Sequence, residues 1–310
     1  MRIEALTFYR FIAAIMVVAH HFGNGLVSFT MANQMVTFFF VLSGFVMTIA
    51  YYPRAEFGIK LYVVNRVSRI VPVYLVALVL TIYFPYFVAS PTATGIFLSL
   101  TFLQSWFPPY PLSINFPAWS LSVEMFFYVL FPFILSSLKK TSPSLLILAA
   151  VIFWGLTQVV LMKLLNSAFY SGRLSASHDL IYFFPLSHLC SFLLGIGGAS
   201  LFLQHKEKWN IPAAFSLLLI SSILMSIIFH YKFEKMISFL VGYDLKLGGS
   251  FYAPVFIALI LITSFSNNFF TRVLSLKFPI LLGEASYALY ILQVPVLGIR
   301  EFKFEVQRLT

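Results

Sequence analysis

The chain has 310 residues, of which 60% are hydrophobic and 10% are charged, whereas soluble domains carry charge on roughly a quarter of their residues. Apolar runs of the length that crosses a bilayer as a helix, about 20 residues, recur along the sequence without the polar–apolar alternation of a transmembrane β-barrel. The formal net charge of +10 is spread over short loops between these runs, so it indicates membrane orientation and no nucleic-acid partner.

This pattern predicts an all-α, polytopic membrane protein with about ten transmembrane helices, in a single domain that covers residues 1–310. The first run lacks a cleavage site after it, so we expect a retained helix and no signal peptide. The fourth run is short and stops at Pro108, so it could re-enter the membrane instead of crossing it. The predicted segments are about 6–28, 35–52, 70–90, 92–107, 119–138, 143–163, 180–203, 211–229, 250–266 and 278–298.

The distribution of Lys and Arg over the loops favours ten crossings. With both termini inside, 13 of these residues lie in cytoplasmic loops and 6 outside, if Arg10 within the first segment is left aside. If the fourth segment does not cross, the numbers become 11 and 8. Short cytoplasmic loops are enriched in Lys and Arg, so we predict ten crossings with both termini in the cytoplasm.

Two ionisable side chains of the first segment, Arg10 and His21, are predicted to share one helix face. They are eleven residues apart, which at about 100° per residue is three turns plus about 20°. Asn24 continues this line and could orient the His21 ring, whereas His20 points about 80° away from it. Ionisable groups within a membrane are costly and often mark function, although Arg10 could also be a membrane anchor and His21 an interfacial residue.

Small and basic residues mark the next two segments. Ser43 and Gly44 interrupt a bulky apolar run, which permits close approach of another helix or of a ligand. Arg66 and Arg69 lie one helical turn apart and could form a fork for phosphate or carboxylate groups. The same arginine pair is also typical of a cytoplasmic membrane anchor.

Glu124 is the most unusual residue of the fifth segment, PAWSLSVEMFFYVLFP. It has no basic residue within fourteen positions on either side, so it needs a partner from another helix or must be protonated. Trp119 and Tyr128 frame it as interfacial or cavity-lining aromatic residues. We therefore interpret Glu124 as a functional residue.

No metal site is predicted, because His20 and His21 lack a further His or carboxylate at ligand spacing. The single cysteine, Cys190, lies in an apolar run, where we expect it to pack as a small hydrophobic residue.

Five stretches, taken in order, resemble the acyltransferase-3 family of integral membrane acyltransferases. Together they cover most of the chain, less clearly between about 140 and 275. They are the Arg10–His21 pair with ten residues between, FFFVLSGF at 38–45, RVSRIVPVY at 66–74, WSLSVEMFFY at 119–128 and LGEASYALYILQVP at 282–295.

The resemblance implies a ten-helix enzyme of a bacterial cytoplasmic (inner) membrane. It would take an acyl group, usually acetyl from acetyl-CoA, on the cytoplasmic side and transfer it to a hydroxyl of a carbohydrate, such as a cell-surface polysaccharide or a lipid-linked glycan. Acyl-CoA is then a substrate, and no bound cofactor is implied. Carried over by position, His21 is similar to the catalytic histidine, Arg10 to its functional partner, Arg66 and Arg69 to the donor-site pair, while Ser43, Gly44 and Glu124 fall within other family motifs.

One departure concerns the last helix, where Gln293 stands in place of a histidine that is common in the family, so a second proton-transfer group there is in doubt. His21 is then either a general base for the acceptor hydroxyl or a relay that accepts the acyl group. Arg10, at roughly 16 Å along the helix, is expected to contact the donor. Two rival interpretations are a transporter or flippase for an anionic or sugar-bearing substrate, and a membrane scaffold whose charges pair across helices.

Overall fold

The fold is built from α-helices, as the hydropathy pattern predicts. The computed structural model describes residues 3–22, 29–54, 57–85, 91–173, 175–213, 215–217, 219–221, 236 and 249–309. Helices make up 81% of it, and within these ranges no strand occurs. Seven of the described helices are long and apolar enough to cross a membrane, which confirms the fold class.

The helices follow the apolar runs of the sequence. Their bounds are α1 (Ala5–Phe22), α2 (Phe29–Tyr51), α3 (Ile59–Tyr83), α4 (Ala93–Leu100), α5 (Trp119–Leu138), α6 (Pro143–Leu165), α7 (Ala176–Tyr182), α8 (Pro185–His205), α9 (Ala253–Phe265), α10 (Phe269–Leu274) and α11 (Lys277–Leu309). Short 3₁₀ turns occur at Gln104–Trp106, Phe116–Ala118 and Gly249–Tyr252. The predicted segment 211–229 lies mostly outside the described residues.

Local sequence signals set several helix starts. The Ser142 side chain accepts a hydrogen bond from the Leu145 backbone N–H, and Pro143 occupies the first turn of α6, where a missing N–H costs nothing. Pro185 occupies the first turn of α8, but the preceding Phe184 provides no side-chain cap. A proline in the first turn is thus the start signal that the two helices share.

The first and last helices pack side by side and run in the same direction. A Cβ atom at Gly283 of α11 would lie 1.9 Å from the Thr7 carbonyl oxygen of α1, so only glycine fits this contact. Towards the other end of α1, His21 contacts Gln293. Residue numbers rise together along both helices, which makes them parallel. We call the end of the bundle where α1 begins the near end, and the end where α1 finishes the far end.

Helices α2 and α8 form the closest packing in the centre of the bundle. A Cβ atom at Gly44 would lie 2.2 Å from the Phe192 carbonyl oxygen, and one at Gly195 would lie 2.0 Å from the Val41 carbonyl oxygen. Each glycine thus admits the backbone of the opposite helix. This contact is the close helix approach that the Ser43-Gly44 pair permits.

The fourth predicted segment does not run the length of the bundle. Helix α3 ends at the far end, where the Phe84 carbonyl oxygen would lie 2.0 Å from a Cβ at Gly298 of α11. Helix α4 follows with only 8 residues, a rise of about 12 Å. It stops at the middle of α3, where the Tyr74 hydroxyl donates to the Ser99 carbonyl at 2.8 Å.

From that point the chain returns to the far end, where Phe116 packs on His21, and α5 then runs to the near end, where Lys139 donates to the Arg54 carbonyl. Segment 92–107 is therefore re-entrant, and the count of ten crossings is not confirmed. Because α1 and α11 are parallel, the start of α1 and the finish of α11 lie at opposite ends of the bundle. The prediction that both termini lie on the cytoplasmic side is not confirmed.

Candidate active site

A cavity that extends from the near half of the bundle towards the far end gathers most of the predicted site residues. Helices α1, α2, α3, α5 and α11 supply its walls. Residues spaced one helical turn apart on α3 and on α5 face it together, because positions three or four apart share a helix face. The predicted residues that line it are Arg10, Ser43, Arg66, Arg69, Glu124 and Tyr128.

Glu124 is held in this cavity by hydroxyl groups. Its carboxylate oxygen Oε1 accepts a hydrogen bond from the Tyr128 hydroxyl, one turn further along α5. The Ser43 hydroxyl of α2 donates to the same oxygen at 3.4 Å. Ser43 is therefore the partner from another helix that the sequence predicts for Glu124. In the described part of the chain no ion pair to Glu124 is found.

The Arg66 guanidinium lies close to two aromatic rings. Its guanidinium carbon is 5.8 Å from the ring centroid of Tyr51 and 5.7 Å from that of Tyr128, within the range of a cation–π contact. Its Nε is buried and, among the described residues, has no hydrogen-bond partner. The rings therefore fix the orientation of this cation beside Glu124.

A second cavity, of about 440 Å³, opens between α1, α2 and α11. Its walls are mainly apolar, but Glu284 lines it, and it shares Arg10 and Arg69 with the first cavity. The two cavities therefore meet at these two arginines. A long ligand with an anionic group could occupy both.

His21 lies apart from the arginines, at the far end of α1. Its Nδ1 is 2.8 Å from Oε1 of Gln293 on α11, and its ring packs against the edge of Phe116 with a centroid distance of 4.4 Å. Arg10 and His21 both lie in the continuous helix α1, where eleven positions correspond to a rise of roughly 16 Å. Asn24, the third member of the predicted line, lies outside the described residues.

Two residues named in the sequence serve packing instead of lining the first cavity. Trp119 is buried, and its ring contacts Phe40 and His188 at centroid distances of 6.0 and 5.2 Å. Gly44 forms the α2–α8 contact. Cys190 is buried as well, in agreement with a packing role.

Sequence reasoning did not assign the polar face of α11. The Tyr290 hydroxyl is hydrogen-bonded to Ser120 at 2.9 Å, and the Tyr287 hydroxyl donates to the Ile70 carbonyl at 2.8 Å. Both tyrosines line the first cavity, and Gln293 follows at the same three-residue spacing. That spacing of polar residues in an apolar helix is the signal that indicates this face.

Among the described residues, no group of three or more His, Cys, Asp or Glu side chains is placed to hold a metal ion. The arrangement instead offers cations for an anionic ligand in the near half and an imidazole for proton transfer at the far end.

Comparison with known proteins points to one chemistry. The sequence model of a family described as "Acyltransferase domain" matches residues 3–305. A curated relative, Acyltransferase MdmB from Streptomyces mycarofaciens, is 31% identical over 151 residues, a match that spans 42% of this chain and 38% of the relative. No solved structure gives a significant match.

Proposed function

This chain belongs to the acyltransferase-3 family of membrane acyltransferases, and from that premise we propose that it moves an acyl group from acyl-CoA to a hydroxyl of a carbohydrate acceptor. The observation that carries the proposal is that one face of α11 contacts both parts of the site. Tyr290 lines the cavity that holds the arginines, and it lies one turn before Gln293, the partner of His21.

The donor half is the near half of the bundle. Arg66 and Arg69 bind the phosphates of CoA through charge-assisted hydrogen bonds, and Arg10 extends this positive lining. The acyl thioester then points along the cavity towards Tyr290. Acetyl is the simplest acyl group that this donor carries.

The acceptor half is the far end of the bundle. A sugar hydroxyl is a poor nucleophile until a base removes its proton, and a neutral imidazole is the usual base near neutral pH. His21 takes that proton while the hydroxyl oxygen forms a bond to the thioester carbon. The carbon–sulfur bond then breaks, and the CoA thiolate receives the proton from His21.

The near end faces the cytoplasm of a bacterial inner membrane in this proposal, because acyl-CoA is cytoplasmic and the near-end loops are rich in Lys and Arg. A surface polysaccharide or a lipid-linked glycan then meets His21 from the opposite side. Acyl transfer occurs within the bundle, between the two compartments.

The histidine pair gives the test of this function. We expect His21→Ala to abolish transfer of labelled acetyl from acetyl-CoA to the glycan fraction of membranes, because it removes the base. His20→Ala is the matched control, since it deletes the same side chain from the adjacent position and is expected to retain most activity. Membrane levels of each variant are measured by immunoblot.

Mass spectrometry of surface glycans from cells with and without the gene then identifies the acceptor by a lost acetyl increment. Equal loss of transfer in the two histidine variants at equal protein level would contradict the assignment of His21. Transfer that does not depend on the gene would contradict the function.

A further inference from the structure

The contact between His21 and Gln293 joins residues that are 272 positions apart in the sequence. Gln293 is 6% exposed, so its amide is shielded from water and must find partners inside the protein. Its Nε2 donates to the Tyr290 carbonyl at 2.6 Å. Its Oε1 faces Nδ1 of His21 at 2.8 Å. Both ends of the amide are therefore used.

The amide orientation decides which nitrogen of His21 carries the proton. Reversal of the amide would place its oxygen against the Tyr290 carbonyl oxygen, so the observed orientation is the favourable one. An amide oxygen only accepts hydrogen bonds, and Nδ1 of His21 must therefore be the donor. In the neutral ring, Nε2 is then left with its lone pair.

The surroundings hold this pair in place. The Asn115 side chain donates to the Ile291 carbonyl of α11 at 3.0 Å and thereby ties the loop that carries Phe116 to the same helix. Phe116 packs its ring on His21. At the near end, the Gly283 contact with α1 fixes the register of the two helices. These contacts hold the His21 ring and the register of α1 and α11, so the hydrogen bond forms without rotation of the ring or sliding of the helices.

We propose that Gln293 is a positioning residue that holds His21 in the Nδ1–H tautomer, so that Nε2 is the atom that takes the acceptor proton. This inference rests on the proposed function of His21 as a base. It assigns a role to the position at which this chain departs from the histidine common in the family. Unlike a carboxylate at that position, the neutral amide fixes the tautomer without stabilising the protonated ring.

The charges around His21 are consistent with this role. His20 of the same helix is a titratable neighbour, with a ring centroid distance of 5.1 Å. The groups that pack on His21 from α11 and from the loop before α5 are Gln293 and Phe116, which are both uncharged. Replacement of Gln293 by Glu therefore adds a negative charge next to Nδ1 of His21.

Nitrogen-15 NMR of histidine-labelled protein in nanodiscs tests the tautomer without any substrate. The His21 signals are assigned by their loss in His21→Ala. We expect a protonated Nδ1 and an unprotonated Nε2 in the wild type, and a mixture of tautomers in Gln293→Leu. A wild-type ring protonated at Nε2 would overturn the inference.

Acyl-transfer kinetics test the consequence. We expect Gln293→Leu to lower kcat by at least about tenfold with little change in the donor KM, because misdirection of a general base forfeits part of its usual contribution of about 10² to 10⁴. Gln293→Glu retains an acceptor for Nδ1–H and adds a negative charge that stabilises the protonated ring. Because its second oxygen replaces the Nε2 group that donates to the Tyr290 carbonyl, only part of the activity should persist, with the acid limb of the pH–rate profile moved to higher pH.

Gln158→Leu on α6 is the matched control, since it makes the same change at a glutamine that contacts Cys190 instead of His21, and its kcat should be unchanged. The positioning role would be overturned if Gln293→Leu had the same kcat as wild type. It would also be overturned if Gln293→Leu and Gln293→Glu lost equal activity and the pH–rate profile of Gln293→Glu did not shift. Inactive wild-type protein would instead refute the proposed function, and the NMR result would still decide the tautomer.

Discussion

At the scale of single residues, the site is distinguished by the way it keeps a cation within an apolar bundle. A guanidinium in such a place is costly unless other groups replace its hydration. Arg66 contacts the rings of Tyr51 and Tyr128, and Tyr128 also donates to Glu124. The same tyrosine therefore links the cation and the carboxylate, which orients both towards the cavity.

A pair of conservative substitutions tests this arrangement. We expect Arg66→Lys to raise the donor KM about tenfold, because an ammonium loses the forked geometry of the guanidinium and weakens its contacts with the two tyrosine rings. Arg69→Lys is the matched change one turn away, at an exposed position, and should raise KM less. The measurement is initial rate against acetyl-CoA concentration in membranes. A larger increase in KM for Arg69→Lys than for Arg66→Lys would contradict the role of the ring contacts at Arg66.

At the scale of elements, glycines decide how closely the helices pack. The α2–α8 contact brings Gly44 against the Phe192 carbonyl and Gly195 against the Val41 carbonyl. Any larger residue must push the backbones apart, because a carbonyl of a helix cannot move away like a flexible side chain. Ser43, which precedes Gly44, would lose its hydrogen bond to Glu124 of α5 with such a shift.

Alanine substitutions measure the importance of this contact. We expect Gly195→Ala to lower the unfolding temperature in detergent and to reduce acyl transfer, because the added Cβ would lie 2.0 Å from the Val41 carbonyl oxygen. Gly155→Ala in α6 is the control, since a Cβ there meets nothing within 4 Å. It should leave stability unchanged or raise it slightly, since alanine favours a helix by about 1 kcal/mol over glycine. Equal behaviour of the two variants would contradict the packing argument.

The positions of the helices could be predicted from the sequence, but the contacts between them could not. Apolar runs gave the positions of α1, α2, α5 and α6 to within several residues, because length and hydropathy together define a membrane helix. Helix periodicity predicted that Arg10 and His21 share one face of α1, and both lie within that continuous helix. The contact of His21 with Gln293 could not be predicted, because it depends on how α1 and α11 pack, and a helix pattern says nothing about its neighbour.

At the scale of the whole molecule, helix directions fix the parity of the membrane crossings. Helices α1 and α11 are parallel, so an odd number of crossings separates them and the total is odd. The total is nine if the chain between α8 and α9 crosses once. The hydropathy pattern does not reveal the odd number of crossings, because an apolar run that turns back, such as 92–107, has the same composition as one that crosses. The loops then carry 11 Lys and Arg on the near side and 8 on the far side.

Cysteine labelling distinguishes this arrangement from ten crossings. Cys190 is buried and is the natural cysteine of the chain, so a Cys190→Ala background accepts single new cysteines. With the near end in the cytoplasm, we expect Lys140→Cys and Lys208→Cys to react with a membrane-impermeant maleimide only after permeabilisation. Ser167→Cys, in the far-end loop after α6, should react in intact cells.

Ten crossings predict the reverse for all three positions, because every loop after the fourth segment changes sides. Pro53→Cys, in the loop between α2 and α3, is the control, since it lies on the cytoplasmic side in both arrangements. The side on which Ser167 is labelled also bears on function. His21 shares the far end with that loop, so external labelling of Ser167→Cys places the proposed base at the face from which a surface glycan would enter.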